Sequence, residues 1–174
     1  MKKYLNILVF LIVSLFFVSC ATKEPTDLKT VQKVDLQKYL GDWYEIARYE
    51  HSFQKDCKNV KANYSLRDDN KIKVVNSCTK ITTNEFKDAK AVAYSVDETN
   101  SKLKVSFFRP FYGDYWILDL DENYKYAIVG TPSKEYLWIL SREKSMDKKT
   151  LNILLEKITN MGFDKTKLIY TIQE

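Results

Sequence analysis

Short segments in which large apolar residues alternate with polar ones recur along most of this 174-residue chain. Such alternation is typical of β-strands that have one buried and one solvated face. In the clearest segment, Val60, Ala62, Tyr64 and Leu66 share one face, and residues 68–70 then turn the chain into the next strand as a hairpin. We predict eight such strands, at residues 43–50, 60–67, 71–74, 89–96, 102–108, 114–120, 124–130 and 136–142.

Turn signals recur about every dozen residues with hardly any helical periodicity between them, which favours an antiparallel meander. Eight strands suffice to close a barrel around one small ligand, and closure removes the exposed sheet edges. Apolar residues at helical spacing predict one late helix at 147–161, and a short last strand follows at 167–172. We therefore expect an all-β, eight-stranded, antiparallel up-and-down barrel with one C-terminal α-helix packed outside it. The alternative is that the helix face binds a partner.

The amino terminus has the layout of an export signal. Lys2 and Lys3 precede an apolar run of about 15 residues, which is shorter than the roughly 20 that a membrane-spanning helix needs. The run ends at Ser19 and Cys20, which together with the two residues before them resemble a bacterial lipobox. We expect a lipoprotein signal peptide at 1–19, lipidation of Cys20 and attachment to a membrane without a spanning helix, the alternative being a retained anchor.

The residue after the lipidated cysteine is Ala21 rather than Asp, so the resemblance to lipoproteins implies sorting to the outer membrane, with the protein facing the periplasm. Residues 20–33 are polar and include Pro25, which predicts a flexible lipidated tether. Residues 34–174, about 140 in number, are enough for one well-cored domain.

Charge and cysteine content narrow the function classes. Without Lys2 and Lys3 the formal net charge falls from +5 to +3, and the charged residues are scattered, so we expect no nucleic-acid partner. With Cys20 acylated, Cys57 and Cys78 remain as a pair in an oxidising compartment, where a disulfide is the default expectation. Such a bridge would contribute about 3 kcal/mol by restricting the unfolded chain.

Several segments resemble the lipocalin family, in the expected order. They are the opening motif Gly-x-Trp, extended to Gly-Asp-Trp-Tyr-Glu-Ile-Ala at 41–47, then Tyr-Trp-Ile-Leu at 115–118 with Asp121 and Tyr124 after it, and residues 136–142. Within the family, residues 62–69 and 104–108 resemble the bacterial outer-membrane lipocalins and their relatives, apolipoprotein D and the plant temperature-induced lipocalins. The resemblance implies a calyx, which is a barrel open at one end.

Three motif residues have structural roles in this interpretation. Gly41 allows a backbone conformation that a side chain would hinder, and Trp43 plugs the closed end of the barrel. The resemblance places Arg142 across Trp43, where a guanidinium group can stack on the indole. We assign these residues to the fold rather than to ligand contact.

Side-chain alternation then predicts the lining of the calyx. If Arg142 points inward to reach Trp43, Leu140 and Trp138 point inward too, and family analogy adds Trp116 and Leu118. With the apolar faces of the other strands, the predicted ligand-binding residues are Tyr64, Asn76, Ala93, Val105, Phe107, Trp116, Leu118, Trp138 and Leu140. Such a lining suits an elongated apolar molecule with a polar end. The alternative is that these side chains fill a solid core.

The resemblance implies a lipid-binding outer-membrane lipoprotein that stores, scavenges or transports a fatty acid, a lysophospholipid or a similar small hydrophobic ligand. We expect no cofactor, no metal site and no catalysis, with the only histidine, His51, as a plain surface residue at the rim. Two alternatives stay open: a structural or interaction lipoprotein, and a lipocalin-type enzyme with a cysteine nucleophile. Aromatic residues around 107–112 are candidates for contact with a membrane or a protein. The sequence does not decide between a monomer and a homodimer.

Overall fold

The computed structural model describes residues 27–174. A short helix, α1, precedes eight consecutive strands, after which come the long helix α2 and a ninth strand. The bounds are α1 Leu36–Tyr39, β1 Gly41–Tyr49, β2 Cys57–Leu66, β3 Ile72–Lys80, β4 Phe86–Ser95, β5 Lys102–Phe108, β6 Phe111–Leu120, β7 Tyr126–Gly130, β8 Leu137–Ser141, α2 Lys148–Asn160 and β9 Leu168–Tyr170. The signal peptide, Cys20 and residues 20–26 of the expected tether lie outside the described residues.

Strands β1 to β8 form a closed antiparallel barrel. Each strand pairs with the next along the chain, and β1 closes the ring by pairing with both β8 and β2. Strand β9 pairs with the far end of β1 and so lies outside the ring. This confirms the predicted up-and-down barrel. We call the end formed by connections 50–56, 81–85, 109–110 and 131–136 the mouth, and the opposite end the floor.

The strand predictions were correct in number and order but too short in places. Strand β3 was expected at 71–74 and extends to Lys80, because its ladder to β4 continues through Thr79 paired with Phe86. Helix α1 was not predicted. Its four residues are held by the Asp35 carboxylate, which accepts hydrogen bonds from the backbone N–H groups of Gln37 and Lys38.

The floor is sealed by Trp43, which is fully buried. Its indole N–H donates to the carbonyl of Tyr39 at 2.8 Å, and the Arg142 guanidinium lies 3.9 Å from the centre of the Trp43 ring. Arg142 also donates to the carbonyls of Lys38 and Asp42, at 2.6 and 2.7 Å, so one side chain ties β8, α1 and β1 together. Gly41 has φ of +94°, and a Cβ there would lie 3.4 Å from the guanidinium, so a larger residue would be strained at this position.

Helix α2 packs against the outside of the barrel, as predicted. Leu154 and Ile158 are fully buried there, in a second apolar cluster separate from the barrel interior. The Asp147 carboxylate caps the helix by accepting from the N–H of Thr150, and Lys157 pairs with Asp119 of β6 at 2.7 Å. The helix therefore covers one outer face of the sheet, which makes the strands beneath it apolar on both sides.

Residues 27–33 were assigned to a flexible tether, but the structure places them along the barrel wall. Leu28 is buried in the cluster beneath α2, and the N–H of Val31 donates to the carbonyl of Ile117 at 3.0 Å. Asp27 lies at the mouth, 3.2 Å from Lys134, and the segment runs from there to the floor. Apolar residues at 28 and 31 in a mainly polar stretch were the sequence signal for this contact.

A disulfide joins Cys57 to Cys78, as expected, with their Cα atoms 5.6 Å apart. It links the mouth ends of β2 and β3. The last residues of the chain return to the same end, where the N–H of Glu174 donates to the side chain of Asn59 at 2.7 Å and its carboxylate pairs with Lys58. Both ends of the described chain therefore lie at the mouth.

Candidate functional site: the calyx

The barrel encloses a cavity of about 670 Å³ that opens at the mouth. Its wall is mainly aromatic and aliphatic, with a few polar groups. The lining includes Glu45, Phe53, Gln54, Val60, Ala62, Tyr64, Val74, Asn76, Val105, Phe107, Phe108, Phe111, Tyr112, Tyr115, Tyr136, Trp138 and Leu140. A volume of this size is typical of small-molecule sites, and it contradicts the alternative of a solid core.

Six of the nine residues predicted to bind ligand line this cavity: Tyr64, Asn76, Val105, Phe107, Trp138 and Leu140. Three do not, namely Ala93, Trp116 and Leu118. Ala93 does face the barrel interior, where it is fully buried in the apolar cluster that also contains Trp43 and Ile72. It belongs to the packed layer between the floor and the cavity.

The predicted orientation of β6 was wrong. Trp116 and Leu118 face outward, in the cluster beneath α2, and Tyr115 and Ile117 face inward. The Lys102 ammonium lies 4.6 Å from the centre of the Trp116 ring. Because β6 is covered on one side by helix α2 and on the other by the barrel interior, both of its faces are apolar, and the sequence alternation does not show which one is inside.

Three tyrosine hydroxyls form a chain at the bottom of the cavity. The hydroxyl of Tyr115 shares hydrogen bonds with those of Tyr39, at 2.7 Å, and Tyr64, at 2.9 Å. Burial raises the pKa of Tyr64 to about 12 and the pKa values of Tyr39 and Tyr115 well above their usual range. These phenols are therefore neutral donors and acceptors at every physiological pH. Tyr115 was missed from the sequence because the opposite face of β6 was expected to point inward.

Asn76 adds a polar group higher on the wall. Its Oδ1 atom is buried, and no described residue donates a hydrogen bond to it. A buried acceptor without a donor costs on the order of 1–3 kcal/mol, so a ligand that donates to this oxygen would recover that energy. Asn76 lies on the same wall as Tyr64, since its β2 partner in the ladder is Ala62.

A buried ion pair that was not predicted from the sequence stands in the wall near the mouth. Glu45 lines the cavity and accepts from Arg48 at 2.9 Å and from the side-chain amide of Gln54 at 2.6 Å. Thr171 also donates to Glu45. The carboxylate is thus already paired, and it contributes polarity to the cavity without an unbalanced charge. The available signal was the pair of opposite charges, Glu45 and Arg48, three positions apart in the first predicted strand.

His51 is not the surface residue that was expected. It is 7% exposed, stacked on Phe53 with ring centres 3.8 Å apart and packed near the rings of Tyr136 and Trp138. Burial and the nearby Arg48 charge lower the pKa of His51 to about 4. The imidazole is therefore neutral at physiological pH and acts as one ring of an aromatic cluster at the mouth.

The described residues set chemical limits on the site. Cys57 and Cys78 are joined to each other, so neither supplies a thiolate, and residues 27–174 contain no group of three or more potential metal-ligating side chains. In that same range no helix is long and apolar enough to cross a bilayer. The cavity is mainly apolar, and its wall also carries hydroxyl and amide groups and the charged residues Glu45, Lys61, Asp114 and Glu135. Such a site suits binding of an elongated hydrophobic molecule with a polar end.

Comparison with known proteins agrees with this geometry. A family described as a lipocalin-like domain matches residues 34–173. The chain is 41% identical over 168 residues to outer membrane lipoprotein Blc of Vibrio cholerae, covering 95% of this chain and 98% of that protein. It is 35% identical over 158 residues to temperature-induced lipocalin-1 of Arabidopsis thaliana, covering 86% and 85% of the two chains.

Among solved structures, the cockroach allergen Per a 4 superposes with a TM-score of 0.68 at 21% identity, covering 87% of this chain and 97% of that one. At this identity the likeness concerns the fold alone. The family match and the relatives above 30% identity, which cover most of the chain, carry the assignment: this chain belongs to the lipocalin family.

Proposed function

We propose that this protein is an outer-membrane lipoprotein that binds a fatty acid, a lysophospholipid or a similar small hydrophobic molecule in its calyx and stores, scavenges or transports it. The observation that carries this proposal is the cavity of about 670 Å³, which opens at the mouth and is lined mainly by apolar side chains. The hydroxyls of Tyr64 and Tyr115 and the amide of Asn76 would receive a polar group of the ligand.

Two observations support a location at the outer membrane. Residues 17–20 resemble a lipobox, with Cys20 as the acylated residue, and a relative with 41% identity is named an outer membrane lipoprotein. Two or three acyl chains on one cysteine would hold the domain stably on a bilayer. The barrel would then face the periplasm.

The three tryptophans permit a direct binding test. Trp138 lines the cavity, whereas Trp43 is sealed in the floor and Trp116 lies outside the barrel. Titration of the Trp116→Phe variant with a short-chain lysophospholipid or a fatty acid should change its fluorescence and saturate near one ligand per protein. The Trp138→Phe variant, which keeps the two distant indoles, is the matched control and should respond weakly. Equal responses of the two variants, or a change that never saturates, would contradict binding in the calyx.

A further inference from the structure

The mouth carries a set of exposed apolar side chains. Phe53, Phe86, Phe108 and Phe111 are exposed to 65%, 66%, 75% and 72%. They lie in or directly beside three of the four connections at this end, and further exposed apolar residues lie near them. We call the whole set the rim: Phe53, Ile81, Phe86, Phe107, Phe108, Phe111 and Tyr112.

Packing of the barrel does not explain why so many apolar side chains are exposed at the rim. Phe108 and Phe111 stack on each other at the tip of the β5–β6 hairpin, with ring centres 6.5 Å apart, and they have the highest exposure of any large apolar side chains among the described residues. Arg109 is exposed between them. Contiguous apolar patches on soluble domains mark surfaces for membranes or other proteins, and aromatic rings beside a basic group suit the interface between lipid headgroups and acyl chains.

The position of the proposed lipid anchor along the chain indicates whether the rim faces a membrane or another protein. Asp27, the first described residue, lies at the mouth beside Lys134, and Cys20 is seven residues before it. Seven residues span at most about 25 Å when fully extended. The barrel wall is of similar height, because the ten residues of β6 cover roughly 33 Å along a strand that is tilted in the barrel. With an acyl group on Cys20, the floor would reach the bilayer only if this segment were fully extended along the barrel, whereas the mouth would reach it with any shorter segment.

We propose that the rim docks on the surface of the bilayer that holds the lipid of Cys20, so that the calyx opens directly onto membrane lipid. This rests on the proposed function, since it takes the acylation of Cys20 from it. The partner is a lipid surface rather than a second protein copy, because the anchor and the apolar rim lie at the same end of the barrel. A hydrophobic ligand would then enter the cavity without crossing water.

The orientation of the barrel relative to the bilayer can be measured on the full-length lipidated protein in phospholipid vesicles that contain brominated acyl chains. Bromine quenches tryptophan emission only at short range, so Phe111→Trp reports on the rim. Leu66→Trp, an exposed position at the floor, is the matched control. Relative to the unmodified protein, the added Phe111→Trp emission should be mostly lost and the added Leu66→Trp emission should persist. Equal quenching at both positions, or none at the rim, would overturn the proposal, including the case in which a second copy covers the rim.

Lipid transfer gives a second test. Replacing both Ile81 and Phe86, the two rim residues that do not line the cavity, with Ser should slow uptake of a fluorescent lysophospholipid from vesicles. The affinity of this variant for a water-soluble short-chain lysophospholipid should match that of the unmodified protein. Neither side chain is needed for barrel packing, because both are exposed. Unchanged uptake rates would overturn the docking proposal. If the unmodified protein does not bind the soluble lysophospholipid, the calyx function is contradicted instead. The two failures are therefore distinguishable.

Discussion

At the scale of single residues, the polar groups of the calyx are almost all paired before any ligand arrives. Glu45 is held by Arg48 and Gln54, and the hydroxyls of Tyr64 and Tyr115 hold each other. A ligand therefore meets a preorganised wall and loses little energy in rearranging it. The Asn76 oxygen is the exception. We expect it to favour ligands that carry a hydrogen-bond donor at the same depth in the cavity over ligands that lack one.

The lowered pKa of His51 makes stability depend on pH. The unfolded chain takes up a proton near pH 6.5, whereas the folded protein does so only near pH 4, so the stabilising effect is complete above about pH 6.5 and is lost as the pH falls toward 4. Between pH 7 and pH 5 the free energy of unfolding should fall by about 2 kcal/mol. Urea unfolding at both pH values checks this.

The control for that experiment is His51→Phe, which keeps an aromatic ring beside Phe53 but cannot titrate. His51 is the only histidine of the chain, and carboxylates change little above pH 5, so the variant should be nearly insensitive to pH in this window. An equal fall in stability in the variant and the unmodified protein would show that another group titrates.

At the scale of elements, the residue pattern within a segment predicted the features that depend on that segment alone. Alternation predicted eight strands, and apolar residues at helical spacing predicted the late helix. The orientation of β8 came from the family resemblance, which placed Arg142 on Trp43, and the structure has this contact. Strand β6 has no such marker. Residues 115–118 are all apolar, since α2 covers one face and the interior the other, so its orientation depends on packing with distant parts of the chain.

The same limit explains the other errors. The burial of His51 depends on Tyr136 and Trp138, which are more than eighty residues away along the chain. The docking of residues 27–33 depends on Ile117 of β6. The contact of His51 leaves no periodic signal in the sequence around it, and the docked segment is marked only by the two apolar residues Leu28 and Val31.

The disulfide is the covalent link between two elements, β2 and β3. Replacing both Cys57 and Cys78 with Ser should lower the free energy of unfolding by about 3 kcal/mol, since the bridge closes a loop with a sequence separation of 21. Urea unfolding measures the loss, and far-ultraviolet circular dichroism should show that the barrel is kept. The double variant leaves the proposed acylation site, Cys20, in place. A loss below about 1 kcal/mol would show that residual structure in the unfolded chain already holds these two segments close together.

At the scale of the whole molecule, a ligand that binds only the folded barrel must stabilise it. At a concentration of 100 times Kd the expected gain is about 2.7 kcal/mol, which thermal unfolding with and without lysophospholipid would show as a raised Tm. Ala62→Phe, which fills the cavity, should abolish the gain, while Ser65→Phe on the same strand, whose side chain points outward, should keep it. A gain that survives Ala62→Phe would place the ligand elsewhere.

Residues 27 and 174 both lie at the mouth, which has a practical consequence for protein engineering. A fluorescent protein fused after Glu174 would stand at the entrance of the calyx and compete with the membrane for the rim. The hairpin turn at 68–70 is exposed and lies at the opposite end, joining β2 to β3. Exposed turn tips tolerate insertions well. A reporter inserted there would project away from the mouth and leave the entrance clear, so imaging and pull-down experiments should begin from that site.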